Sequence, residues 1–208
     1  MKNVAQTVTS STDSKIIEAT IDLVGELGYK GMTTRQIAER AGVDEVTLFR
    51  RFGSKETLVK KSVGFAQGQL RMALSEVGRN GTGDLETDLT SMALSMMQSL
   101  EKRREAVVAI MFEAKREAFF GNATSGMVLY ILKLVRDFLD SYKLKLSSGK
   151  EETDFIAQSI TSYVFYRIMV KERLLGKEFT SRNRKEELQC YVHLLLRNVS
   201  LERRSVAR

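Results

Sequence analysis

Thr34, Arg35, Thr47, Arg50, Arg51 and Lys55 gather hydroxyl, guanidinium and ammonium donors into one short stretch of the chain. Such groups bind phosphate oxygens and fix a protein's position on a nucleic-acid backbone. Glu45, Val46 and Phe49 lie among them. A carboxylate in that company can accept a hydrogen bond from cytosine N4, and an apolar side chain can meet the thymine methyl. Glu45 has a second role open to it, as an acidic partner of the dipole in a helix's first turn. The chemistry on offer is recognition of a duplex.

Little elsewhere suggests bond-making or bond-breaking. His193 is the only histidine and lies in an apolar segment, where it reads as a packing or interface residue rather than a base. Cys190, the only cysteine, precedes it by three residues, but nothing in that pair implies the electropositive surroundings a reactive thiolate needs. No glycine-rich phosphate loop follows a strand pattern, no metal-ligand cluster occurs, and Glu151-Glu152 read as the acidic start of a helix. The expectation is a protein that is not an enzyme and carries no cofactor or metal.

The donors near residue 45 need a scaffold, and the local sequence supplies one. Thr33 followed three places on by Gln36 is a capping-box pattern that opens a helix. That helix turns Ile37, Ala38 and Ala41 inward, with Ala38 short enough for a close helix crossing. Gly42 enters the left-handed region without a Cβ penalty and ends it. Val43 fills the corner, and Asp44 caps a second helix that turns Leu48 and Phe52 inward. Glu45, Val46, Thr47, Arg50 and Arg51 then face outward. Ser54 caps a third helix whose first turn holds Lys55. Without the caps and the exposed donors, the same glycine turn would suit an ordinary helical hairpin in a larger bundle. With them, the pattern predicts a helix-turn-helix, whose second helix enters the major groove.

From Ile16-Ile17-Glu18-Ala19-Thr20 through Leu27-Gly28-Tyr29 to Leu58, the chain resembles the tetracycline-repressor (TetR-like) family of bacterial transcription regulators. The resemblance implies an all-α fold: a three-helix DNA-binding domain followed by a C-terminal helical bundle that dimerises. It implies that Glu45, Val46 and Thr47 read base edges or reach nearby phosphates. Thr34 and Arg35 would contact bases or phosphate, and Arg50, Arg51 and Lys55 would hold phosphate. One departure is Phe49, which stands where the family usually has tyrosine and so lacks a hydroxyl for phosphate. The implied activity is repression of transcription, relieved when a small molecule enters the C-terminal bundle.

Composition sets the outer bounds. The chain has 208 residues, no proline, no tryptophan and a formal charge of +7. The absence of proline permits long uninterrupted helices. The charge is weak support for DNA binding by itself, because residues 1–60 hold nine Lys/Arg against eight Asp/Glu. A single cysteine suits a reducing compartment. The polar start is unlike a secretory signal, and no apolar run reaches the ~20 residues needed to span a bilayer. These features predict a soluble, cytoplasmic protein without membrane association. The expected organisation is a flexible arm over 1–12, a DNA-binding domain over 13–60, a ligand-binding and dimerisation domain over 61–200, and a basic tail over 201–208.

After a first helix from about Asp13 to Gly28, a long helix is expected from Lys55 to about Gly78, stopped by Asn80-Gly81-Thr82-Gly83. Apolar stripes then predict about five more helices. The segment from about Glu151 to Leu175 is apolar on more than one side, through Phe155, Ile156, Ile160, Tyr163, Val164, Phe165, Ile168 and Met169. A helix of that kind needs cover on both sides. Pairing the last two helices with a second copy supplies it, as a two-fold four-helix bundle; a large monomer with this helix at its centre is the alternative. Two reading heads would then address a palindromic operator on double-stranded DNA, with half-sites ~34 Å apart. Met92, Met96, Met97, Met111, Phe112, Tyr130, Tyr163 and Phe165 could line a pocket for a hydrophobic small molecule, or form ordinary core. A helical ligand-binding or interaction module without a DNA role is the other functional class the sequence allows.

Overall fold

In the computed structural model the described residues are 11–113, 118–142, 150–171 and 183–206, and every regular element among them is helical. In chain order these are α1 (Ser11–Gly31), α2 (Thr34–Ala41), α3 (Glu45–Phe52), α4 (Lys55–Arg79), α5 (Leu85–Lys102), α6 (Arg104–Glu113), α7 (Ala118–Asp140), α8 (Lys150–Tyr166), and α9 (Arg184–Val206). A single π-helical turn, Arg167–Lys171, continues α8. The all-α class implied by the resemblance is what the described residues adopt.

The helix ends differ from expectation in three places. Ser11 and Thr12 are already helical, so the expected arm loses its last two residues to α1, and residues 1–10 lie outside the described part. Beyond Gly28 the chain remains helical to Gly31, across a break where Gly28 takes φ 70° and ψ 170°. The last helix runs to Val206 rather than ending with the expected domain at residue 200, so most of the expected basic tail is helical backbone. Residues 172–175, the end of the expected two-sided helix, lie outside the described residues.

The described residues fall into two compact units. The first takes in those up to Leu70 together with those between Arg103 and Met127. It therefore extends past residue 60, where the expected domain ends, and recruits α6 and the start of α7. Its core is built from Ile16, Met32, Ile37, Leu48 and Leu58, all at 0–1 % exposure, with Phe120 of α7 at 0 %. Leu27, near the end of α1, is 45 % exposed. The ring of Phe120 stands edge-on to Tyr29 at 4.9 Å, a favourable geometry for the aromatic quadrupoles. Arg103 grips Glu18 through both guanidinium nitrogens at 3.1 and 3.2 Å and also reaches Gln69.

α6 comes so near α1 that only glycine fits at the crossing. A Cβ on Gly25 would lie 2.9 Å from the backbone nitrogen of Ala106 and 3.0 Å from Glu105 Cβ. In an open helix Gly→Ala adds ~1 kcal/mol of stability. Here the opposite sign is expected: Gly25→Ala should destabilise the protein by about 1–3 kcal/mol through overpacking. Urea unfolding of the two proteins measures it, and a stabilised variant would refute the close approach.

The second unit comprises the described residues in Arg71–Lys102 and from Val128 onward. Its core joins Leu89, Met92, Ala93, Met96 and Met97 of α5 to Val135, Leu139, Ile156, Ile160, Val164, Leu188 and Val192. The turn before α5 is closed by Asp88, whose carboxylate accepts from Thr82 N (2.8 Å), Thr82 Oγ1 (2.9 Å), Gly83 N (2.9 Å) and the Tyr142 hydroxyl. Burial pushes this carboxyl up, but its donors outweigh burial and hold it below the usual range. Tyr142 moves the other way, pushed up to about 12 by burial and by the Asp88 carboxylate.

α8 is two-sided, as its composition suggests. Ile156, Ala157, Ile160, Val164 and Ile168 are wholly buried, while Phe155 (59 %) and Tyr166 (47 %) face solvent. A charged group also sits in this core: Arg167, 1 % exposed, is paired with Glu187 of α9, which Lys171 also reaches at 2.7 Å. Burial opposes ionisation of Glu187, yet the Lys171 and Arg167 donors overcome it and draw the carboxyl down to about 2.

Candidate nucleic-acid interface

The start of α2 is held by both halves of a capping box: Thr33 N donates to Gln36 Oε1 at 2.8 Å and Gln36 N donates to Thr33 Oγ1 at 3.2 Å. Its end is the left-handed Gly42, φ 68° and ψ 38°, after which Val43 N returns to Ala38 O at 3.0 Å. Asp44 then caps α3, accepting from Thr47 N at 2.5 Å. That backbone bond, joined by one from the Thr47 hydroxyl, holds the Asp44 carboxyl below its ordinary range. With Leu48 at 0 % and Phe52 at 5 % exposure, α3 is anchored on one side only. Its opposite side carries Val46 at 75 %, Phe49 at 46 % and an exposed Arg50. This is the arrangement in which a short helix is backed by a core and presented outward.

The remaining candidates are tied in ways their spacing does not reveal. Thr34 donates its hydroxyl proton to Glu45 Oε1 at 2.5 Å, linking the first turns of α2 and α3. Arg35 pairs with Glu39 one turn along α2, in an exposed ion pair of the kind worth ~0–1 kcal/mol. Arg51 reaches Asp13 of α1 at 2.7 Å. Lys55 donates to Tyr29 O (2.9 Å) and Met32 O (3.0 Å), with its ammonium 4.5 Å from the centre of the Tyr29 ring. An ammonium has three protons, so one is left to face a phosphate. Arg50 is exposed, with the Asp44 carboxylate as its charged neighbour. The carbonyls of Tyr29 and Met32, and Asp13, are site residues that sequence reasoning missed.

The expected pocket residues separate. Met92, Met96 and Met97 are packed core of α5 at 1–2 % exposure. Tyr130 is half-buried on α7, and desolvation pushes its hydroxyl up. Met111 (39 %) and Phe112 (77 %) stand out from α6 into solvent, in the first unit rather than the second. Phe165 is half-buried. Tyr163, stacked on Tyr191 at 4.2 Å, borders a groove of about 550 Å³ together with Phe155, Gln158, Ser159, Ser162, Tyr166 and Tyr191. None of the other expected pocket residues lines that groove. His193, expected as a packing or interface residue, is exposed in the single chain and bonded to Glu86 at 3.1 Å, and Cys190 is exposed as well. Among the described residues no group of His, Cys, Asp and Glu is placed to hold a metal ion, and no helix is long and apolar enough to cross a membrane.

Comparison with known proteins agrees with this geometry. Residues 16–61 match the family described as bacterial regulatory proteins, tetR family, a span that holds α2, α3 and the start of α4. The uncharacterized HTH-type transcriptional regulator YvkB of Bacillus subtilis is 27 % identical over 172 residues, which is 79 % of this chain and 87 % of that protein. The class A tetracycline repressor from transposon 1721 of Escherichia coli is 38 % identical over 52 residues, 25 % of this chain and 24 % of the repressor. Among solved structures, the fatty acid degradation regulator FadR of Bacillus halodurans superposes with a TM-score of 0.71 at 18 % identity, covering 91 % of this chain and 97 % of that one. A capped helix pair with an outward α3, the family match across it, and a fold shared along nearly the whole length lead to one conclusion: residues 16–61 form a DNA-binding helix-turn-helix domain of the tetR-family type, in a chain similar to transcription regulators over most of its length.

Proposed function

We propose that the protein is a homodimeric repressor of the cytoplasm that binds a palindromic operator and leaves it when a hydrophobic small molecule is bound. The observation that carries the DNA-binding part is the uncovered face of α3, where Val46, Phe49 and Arg50 stand in solvent on a helix otherwise rooted in the core. Thr34, Arg35, Thr47, Arg51 and Lys55 flank it, with residues 13–60 as the reading domain. Dimerisation through α8 and α9 is supported by the apolar side chains these helices leave outside, Phe155, Tyr166 and Leu194, and by the small Ser159 and Ser162 in the groove between them. Small side chains let two helices approach closely, and the groove offers a place for a partner's side chains.

Ligand release is supported less directly, by the methionine-rich interior of α5. Methionine is flexible enough to repack around a guest. Release requires a ligand whose affinity differs between the DNA-competent and DNA-incompetent states. A rise in melting temperature with apolar or aromatic compounds, matched by loss of operator binding, is the expected result of a screen.

The direct test is a mobility shift on DNA flanking the protein's own gene, repeated over a salt series. Arg50→Ala should weaken every site about equally and reduce the slope of log K against log salt by ~0.9, the signature of one lost phosphate contact. An unchanged slope would remove Arg50 from the backbone contacts. Absence of any shift would favour a helical ligand-binding or interaction module instead.

A further inference from the structure

We propose that the chain selects its operator chiefly through thymine methyl groups, with Val46 and Phe49 as the reading pair and Glu45 as a positioning residue. The inference rests on the DNA-binding reading above and adds the chemistry of the sequence it recognises. Four polar side chains at the start of the two helices, Thr34, Arg35, Glu45 and Thr47, were candidates to read bases, and each has a partner within the protein, that of Arg35 being Glu39. Thr34 has one hydroxyl proton and gives it to Glu45 Oε1. Glu45 uses that oxygen to tie α3 to α2. Thr47 turns both its backbone N–H and its hydroxyl to Asp44.

Apart from Arg50, assigned above to the phosphate backbone, what α3 leaves unengaged is apolar. Val46 and Phe49 are three residues apart, so their side chains are neighbours on one side of the helix. They are 75 % and 46 % exposed although Leu48 and Phe52 of the same helix are buried. The one apolar feature on the base edges of the major groove is the C5-methyl of thymine. Phenylalanine has no group with which to bond a phosphate, and valine has only methyls. Covering thymine methyls is therefore the contact in which this pair gains from burial.

The test selects bound duplexes from a random-sequence pool with the full-length protein. The preferred site is then remade with deoxyuridine in place of thymidine, one position at a time. Uracil keeps every hydrogen-bonding group of thymine and loses only the methyl. At contacted positions the affinity should fall about three- to five-fold per methyl, the value of one buried carbon. Phe49→Ala, at a position half in solvent, should fold normally and be indifferent to uracil at the thymine that Phe49 covers. Glu45→Gln keeps an acceptor for Thr34 and should select the same sequence at every position. Equal binding of the thymine and uracil sites, with sequence preference and salt dependence intact, would overturn this inference while leaving the DNA-binding reading in place. A relaxed position in Glu45→Gln would return Glu45 to the base readers. Failure to enrich any sequence would remove both readings together.

Discussion

Glu187→Ala is expected to lower the unfolding free energy by about 3–5 kcal/mol, because it withdraws the carboxylate from a guanidinium that is almost wholly buried. Arg167 is 1 % exposed, and Glu187 is the shared acceptor of Arg167 and Lys171. Replacing both charges with well-packed apolar groups would be far milder than removing one of them, since the cost lies in taking the carboxylate from a guanidinium that stays in the interior. Chemical unfolding of Glu187→Ala beside an Arg167→Met, Glu187→Leu double variant separates these cases. A single variant as stable as the parent would show that the pair contributes nothing. The pH dependence has a definite sign. The Glu187 carboxyl is near 2 in the folded protein against an ordinary 4.5, so its contribution is complete above 4.5 and declines as pH falls toward 2. The gap between parent and Glu187→Ala should therefore narrow over that acid range and stay constant through neutrality.

The second large effect concerns assembly. Tyr166→Glu combined with Leu194→Glu places two carboxylates on the face that α8 and α9 leave outside. Both positions are about half exposed in the single chain, 47 % and 51 %, so the fold of each subunit should survive. Like charges brought together across a two-fold axis would oppose pairing. Sedimentation equilibrium should then report a monomer with an unaltered helical circular-dichroism spectrum. Operator affinity should drop by ~10²–10⁴, because the second head no longer binds as an intramolecular event. A variant that remains a dimer would move the interface elsewhere; a monomer with full affinity would mean that one head suffices.

The parts of this molecule that short-range chemistry controls were readable from the chain. Thr33 with Gln36, Gly42, and Asp44 with Thr47 each act within a few residues, and each does in the structure what its type and spacing suggest. The buried stripes of α2, α3 and α5 follow from a period of 3.6 in the same way. The contacts that escaped notice join residues far apart in sequence. Nothing in the local pattern says that Thr34 will meet Glu45, that Arg51 will reach back to Asp13, or that Lys55 will find the carbonyls of Tyr29 and Met32. Arg167 carried no warning either, because a charged residue on a helix ordinarily faces water. Met111 and Phe112 differ in the opposite sense: their apolarity suggested a pocket wall, but in the single chain both stand exposed on α6.

Phe120 has a bearing on how such regulators can be recombined. It completes the interior beneath Tyr29 and Met32 although it comes from α7, and Ala106 of α6 closes on Gly25 in the same body. A chimera that grafts only the first sixty residues onto another scaffold would arrive with a hole where Phe120 belongs and a bare notch at Gly25. The transplantable piece is a discontinuous one, and a donor segment around 103–127 has to travel with it.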